Sequence, residues 1–309
     1  MKKYSNQIIV ILTFITLIIV LINKSLVSET IISSLYIWYN TLVPSMFPMI
    51  ILSDILITYD FINVIPKEII RSISKLFNIS YSAVMILFIS LIAGFPTNAI
   101  SIKKAIDINK ITKEEGEHLL LFCNFANPLF IIQTVGTFYL KNTNYSIIIL
   151  LSHILSNIII GIIFRNKNHP KNNYITVTIK SQNFGEVLSN AIFKSINTLL
   201  SIAGTVTMFL IITTLISHIF SLNTIPSLII KILLEMTMAL SFLSNLSINV
   251  MLKVIISSII ISFSGLSIHL QIMSCLDNIK YKNYLKGRLL SSIISGIISY
   301  IIIIICNYI

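Results

Sequence analysis

Charge is what this chain has least of. Only 11% of its 309 residues are Asp, Glu, Lys or Arg, against about a quarter in an ordinary soluble domain. Cysteine is scarcer still: Cys123, Cys275 and Cys306 each lie in an apolar run and form no CxxC pair. That excludes a disulfide framework and a cysteine metal site. HExxH, GxSxG and P-loop motifs are missing, and no spacing suggests a Ser, His and Asp set, so enzyme chemistry is not expected. A net charge of +11 does not indicate nucleic acid either, because Lys and Arg lie between apolar runs and not in a stripe beside aromatics.

What fills the chain is hydrocarbon. Hydrophobic residues make up 55% of it and the mean hydropathy is +0.92. This is the composition of an all-α, polytopic membrane protein whose partner is the lipid bilayer. Residues 8–22 follow a Met1-Lys2-Lys3 start and read as an uncleaved first span, since no small-residue cleavage pattern precedes Lys24 and Glu29. Residues 31–58 form a second span, kinked by Pro44 and Pro48, with Asp54 near an interface. Between residues 60 and 81, Lys67, Arg71 and Lys75 are spaced by four opposite Ile69, Ile70, Ile73 and Leu76. This is the pattern of a helix lying in the membrane surface. Further spans are expected over residues 112–139, 145–164, 196–220, 250–275 and 289–309, about seven in all.

Two apolar segments are too short to cross. Residues 83–95 number about thirteen where a span needs about twenty, and the run ends at Gly94-Phe95-Pro96-Thr97-Asn98, so a re-entrant hairpin returning over 99–108 is expected. Residues 226–243 are short in the same way and carry Lys231 and Glu235. If both dip in and return, the loops at 1–7, 60–81, 99–118, 165–195 and 277–288 share one side and hold nearly all the Lys and Arg. Lys24, Lys141 and Lys253 fall opposite. This obeys the positive-inside rule and puts the N-terminus in the cytoplasm.

The same reading exposes a symmetry. After an N-terminal helix in residues 1–30, residues 31–164 read as span, hairpin, span, span. A cytoplasmic linker, 165–195, separates them from residues 196–309, which repeat the order from the other side. Thr97 to Asn127 is the same separation as Glu235 to Gly265. Inverted repeats with interrupted segments at matching positions point to a secondary transporter with its site near the midplane. Interrupted backbone at membrane depth is tolerated only where protein buries it or it lines a cavity.

GFPTNA, KEEGEHLLLFCNFANPLFIIQTVG, LEMTMALS and SGLSIHLQ, in that order, resemble the successive motifs of the YlbJ family of sporulation integral membrane proteins, which carries a nucleoside-recognition Gate domain. The resemblance implies a fold similar to concentrative nucleoside transporters and delivery of dipicolinic acid across the outer forespore membrane in sporulation. It also implies solute contacts at the matching positions: Thr97, Asn98, Asn124, Asn127, Glu235, Thr237, Ser267 and His269. Asn98, Asn127 and Ala239 stand where the family commonly has glycine.

Each of these positions has a plainer reading. Glu235 could pair with Lys231 one turn back, although intramembrane carboxylates default to pathway roles, which would make it a coupling group for a proton or sodium. The Asn and Thr groups could be interhelical glue worth about 1 kcal/mol each. His153 reads as a packing histidine, and His118 as a surface partner of Glu114. Thr112-Lys113-Glu114-Glu115 fits a capping box. No cofactor or metal is expected. The solute is a small anion or a nucleoside, and a homo-oligomer is compatible with the reading. The rival of a different class is a non-transporting scaffold or ligand sensor of the spore envelope.

Overall fold

The computed structural model describes residues 2–59, 61–165, 183–276 and 279–308, and among them every regular element is a helix. Five helices are long and apolar enough to cross a membrane, or six if one sharply bent pair counts as a span. The chain is therefore an integral membrane protein. The expected first span is helix α1 (Lys2–Ile22), whose apolar part, Asn6–Ile22, is shorter than the five. The second begins earlier than expected: α2 (Lys24–Ile37) runs through a π turn into α3 (Val43–Thr58) as one span. Asp54 on α3 pairs with Lys194.

Helix α4 (Lys67–Phe77) meets α5 (Tyr81–Ala93) at 92°. It buries Ile70 and Phe77 against the core and leaves Ile69 and Leu76 half exposed, the disposition of a helix resting on the bilayer surface. Helix α6 (Thr97–Asp107) folds back on α5. The expected span over 112–139 is two pieces, α7 (Lys113–Phe122) and a π-helix, Phe130–Tyr139, because the polar run from Cys123 to Pro128 interrupts it. Helix α8 (Thr143–Ile163) follows.

Of the expected linker, residues 166–182 lie outside the described residues. The last part of the expected linker, from Phe184, and the span after it are one helix, α9 (Phe184–Ile219), which contains no proline to break it. Helices α10 (Thr224–Leu234) and α11 (Met236–Ser244) form a second hairpin. Helices α12 (Val250–Phe263) and α13 (Gly265–Ser274) are the halves of one broken span, and α14 (Tyr281–Tyr308) closes the described chain.

The centre of the molecule is α7, α8, α12 and α14. Lipid is as apolar as leucine, so helices in a bilayer associate through small residues and hydrogen bonds. That is how α14 is patterned. Ser291, Ser295 and Ser299, four apart, are buried, while Leu289, Ile293, Ile297 and Ile301 on the opposite face are about half exposed. The Ser291 hydroxyl meets that of Ser156 on α8 at 2.9 Å, and the Ser295 hydroxyl donates to the Ser258 carbonyl on α12 at 3.3 Å.

The capping box at α7 is half realised. Thr112 accepts the Glu115 amide at 3.1 Å, but the Glu115 carboxylate does not turn back to Thr112. It accepts the Ser80 amide at 2.6 Å and the Ser80 hydroxyl at 3.0 Å. Ser80 is the N-cap of α5 and accepts the Ala83 amide at 3.2 Å, so the carboxylate answers the free amides of a neighbouring helix start. Ser80→Ala removes the cap and one of those donors. It is expected to lower unfolding stability in detergent by about 1–2 kcal/mol, measured against Ser72→Ala on the exposed side of α4.

Candidate functional site

Each hairpin tip presses on the break of the helix that follows it. At the first tip Gly94 has φ +74° and ψ −169°, a conformation open essentially to glycine alone. A Cβ there would stand 2.5 Å from the Asn127 nitrogen. The Phe95 amide donates to the Phe125 carbonyl at 2.9 Å. Asn98, in the first turn of α6, donates from Nδ2 to the Cys123 carbonyl at 2.7 Å and to Asn124 Oδ1 at 3.0 Å. The Asn127 amide donates to the Ala93 carbonyl at 3.3 Å, and its Oδ1 accepts from the amides of Leu129 and Phe130, so it caps the π-helix. Side chains at 98 and 127 thus occupy the junction and bind its backbone, where glycine would leave both unanswered.

The second tip mirrors this with the roles exchanged. Gly265, φ +70°, lies on the broken helix, and a Cβ there would meet the Met236 nitrogen at 3.1 Å and Glu235 Cα at 3.3 Å. Glu235, 1% exposed, is the N-cap of α11: Oε2 accepts from the Thr237 hydroxyl at 2.5 Å and the Met238 amide at 2.7 Å. The alternative pairing with Lys231 does not form. Lys231 turns to the Ser227 hydroxyl and lies 4.4 Å over the Phe242 ring. Ser267, in the first turn of α13, lies beside the Glu235 carboxylate, but its hydroxyl closes no hydrogen bond.

The two breaks are joined by residues that the sequence did not single out for the site. His153 on α8 is fully buried. Its Nε2 accepts the Ala126 amide at 2.9 Å, which leaves Nδ1–H to reach Ser262 Oγ at 2.8 Å. It packs, as expected, and it also bridges the break after α7 to the end of α12. Arg288 on α14, expected in a basic loop, is instead fully buried against both breaks. Asn124 donates from Nδ2 to the Tyr284 hydroxyl at 3.2 Å, and the Tyr284 ring meets His269 edge-on at 4.8 Å. His269 Nε2 donates to the Phe263 carbonyl at 2.8 Å, so Nδ1 of the neutral ring accepts from the Tyr281 hydroxyl at 2.8 Å. A signal for these residues did exist: Tyr284 and Arg288 are one turn apart, at helical spacing, beside Gly287.

The eight predicted positions therefore fall into two linked groups. Asn98, Asn124 and Asn127, with Thr97 opening α6, gather at the first tip. Glu235, Thr237 and Ser267 gather at the second, and His269 joins the first group through Tyr284. All eight are buried. His118 is not a surface partner of Glu114. It is buried, with Nε2 donating to the Phe164 carbonyl at 2.7 Å, because α7 packs on the end of α8, where that carbonyl lacks a helical partner. A surface cavity of about 440 Å³ lies away from the tips, beside Glu117, His118, Phe164 and Arg165.

Helices α6 and α13 both begin without a side-chain cap and pack against one another. At their first turns Asn98 Oδ1 and Ser267 Oγ are buried without hydrogen-bond partners among the described residues. The arrangement offers two positive helix ends and spare polar atoms inside the bundle.

No family model matches the chain, and no solved structure matches it. Among curated proteins it is similar to the sporulation integral membrane protein YlbJ of Bacillus subtilis (strain 168), 23% identical over 205 residues, which cover 60% of this chain and 50% of that protein. The chain thus spans about half the length of the curated relative it matches. That similarity agrees with the resemblance of the GFPTNA, KEEGEHLLLFCNFANPLFIIQTVG, LEMTMALS and SGLSIHLQ motifs to the YlbJ family of integral membrane proteins.

Proposed function

We propose that the protein is a transporter of a small polar organic solute, acting in the membrane that surrounds the developing spore. The observation that carries this is the pair of hairpin tips, each seated on a helix break, with the uncapped starts of α6 and α13 and the unpaired Asn98 and Ser267 atoms between them. A soluble-style core would satisfy those groups; a solute site keeps them for its ligand. In this reading the architecture is an inverted repeat of about seven spans and two re-entrant hairpins, with the N-terminus and the basic loops in the cytoplasm.

Dipicolinate is the leading substrate, through the family resemblance, and its two carboxylates suit two helix N-termini. Thr97, Asn98, Asn124, Asn127, Ser267 and His269 orient it. Glu235, held by Thr237, couples transport to a proton or sodium ion, or gates the second tip. The family's relation to nucleoside transporters makes nucleosides the competing solutes.

The test is uptake of labelled dipicolinate into liposomes carrying the purified protein under imposed proton or sodium gradients. Glu235→Gln is the paired variant, since a glutamine oxygen still accepts the Met238 amide while the charge is gone. Saturable uptake that falls roughly tenfold or more in the variant is the expected result. Equal uptake by both proteins would remove Glu235 from the site. Uptake of nucleosides alone would reassign the substrate, and no uptake of either by folded protein would favour a scaffold or sensor.

A further inference from the structure

Arg288 is a buried cation with no carboxylate partner among the described residues. Nη1 donates to the carbonyls of Asn124 at 3.1 Å and Ser262 at 3.3 Å, and Nη2 donates to the Leu121 carbonyl at 3.2 Å and Asn157 Oδ1 at 2.8 Å. Burying a charge without an opposite one is costly unless dipoles replace the lost water. Here they do, because α7 ends at Phe122 and α12 ends at Phe263, and the negative ends of both helices converge on the guanidinium.

The carbonyls freed at these ends are taken up by side chains from other helices. At α7, Leu121 and Asn124 go to Arg288, and Cys123 goes to Ser90 and Asn98. At α12, Ser262 goes to Arg288 and Phe263 to His269. Gly287 makes the approach possible, since a Cβ there would stand 2.2 Å from the Leu121 oxygen. A lysine offers a compact charge in place of a planar fork and cannot span four acceptors on three helices.

We propose that Arg288 is the positioning residue of the site: from α14 it ties the ends of α7 and α12 into one unit and, through Asn124, sets the surface on which the first hairpin tip closes. Asn124 receives Arg288 at its carbonyl and presents Oδ1 to Asn98 on the tip. Loss of the fork frees both helix ends together, and Asn98 loses a fixed partner. The inference rests on the transport reading for its functional meaning, but the coupling of the two breaks does not.

Hydrogen exchange of the full-length protein in lipid nanodiscs tests it, comparing wild type with Arg288→Lys. The probes are the amides of Cys123 and Ala126 at one break and Ser264 at the other, with Met238, capped by Glu235, as the internal reference. The expected result is protection lost about tenfold or more at both breaks together, with Met238 unchanged. Asn157→Ala, which removes one of the four acceptors and leaves the charge, should give a smaller loss at the same amides, and it decides the matter if Arg288→Lys does not fold.

Loss at one break only, uniform loss across the protein, or no loss would each overturn the proposal. The coupled loss in a protein that moves no solute would leave Arg288 as proposed and overturn the transport reading alone.

Discussion

Gly94→Ala is expected to abolish solute uptake and to lower stability sharply. Two costs add. The backbone at φ +74° and ψ −169° is one that alanine scarcely adopts, at about 1–3 kcal/mol. The new methyl would also stand 2.5 Å from the Asn127 nitrogen and 2.9 Å from its Cα, and backbone cannot swing aside as a side chain does. To relieve the contact, the first tip must lift off the break after α7. That move strips the Phe95–Phe125 and Asn98–Cys123 hydrogen bonds.

The other glycines set a scale for this effect. At Gly265 the nearest atom to an added Cβ is 3.1 Å away, so Gly265→Ala, also at positive φ, should cost less. At Gly204 nothing lies within 4 Å, and Gly204→Ala in the middle of α9 should be neutral or slightly stabilising through helix propensity. Uptake rates and thermal unfolding of the three variants in detergent give the order directly. A Gly94→Ala protein as stable as Gly204→Ala would show that the tip does not seat on the break.

His153→Ala carries the second large effect. The imidazole receives the Ala126 amide and donates to Ser262, so its removal leaves two buried polar groups without partners, each worth about 1–3 kcal/mol. A cavity adds to that, since the ring also packs edge-on against Phe125 at 6.1 Å. His153→Phe fills the space and restores no hydrogen bond. It should therefore recover part of the stability of His153→Ala and none of the order at the break. Thermal unfolding separates the two terms: equal midpoints for the Ala and Phe variants would mean that the hydrogen bonds carry all of the effect. A wild-type midpoint for His153→Phe would mean that they carry none.

Much of this protein was legible along the chain, and the reason is local. Apolar runs marked the membrane helices because a backbone in hydrocarbon must bond within its own segment. The interruptions at Gly94 and after Cys123 stood out because glycine, proline and polar residues disturb that ladder at the place where they occur, whereas the breaks at Glu235 and Ser264 fall inside segments, 226–243 and 250–275, that read as continuous. Thr112 announced the start of α7 in the same way. Burial of all eight candidate positions was legible too, since polar groups in such runs are too costly to face lipid.

Partners were a different matter. Glu115 looked like the second half of its own capping box, and packing gave it to Ser80. Glu235 stood one turn from Lys231, and its carboxylate went to Thr237 and Met238 instead. Arg288 sat among lysines in a basic stretch, yet it is the one whose helix face turns inward, beside a glycine that lets α14 touch α7. A local signal depends on a few neighbouring residues, so the sequence carries it whole. The choice of a distant acceptor depends on which helix ends the finished bundle leaves unbonded, and only the tertiary structure decides that.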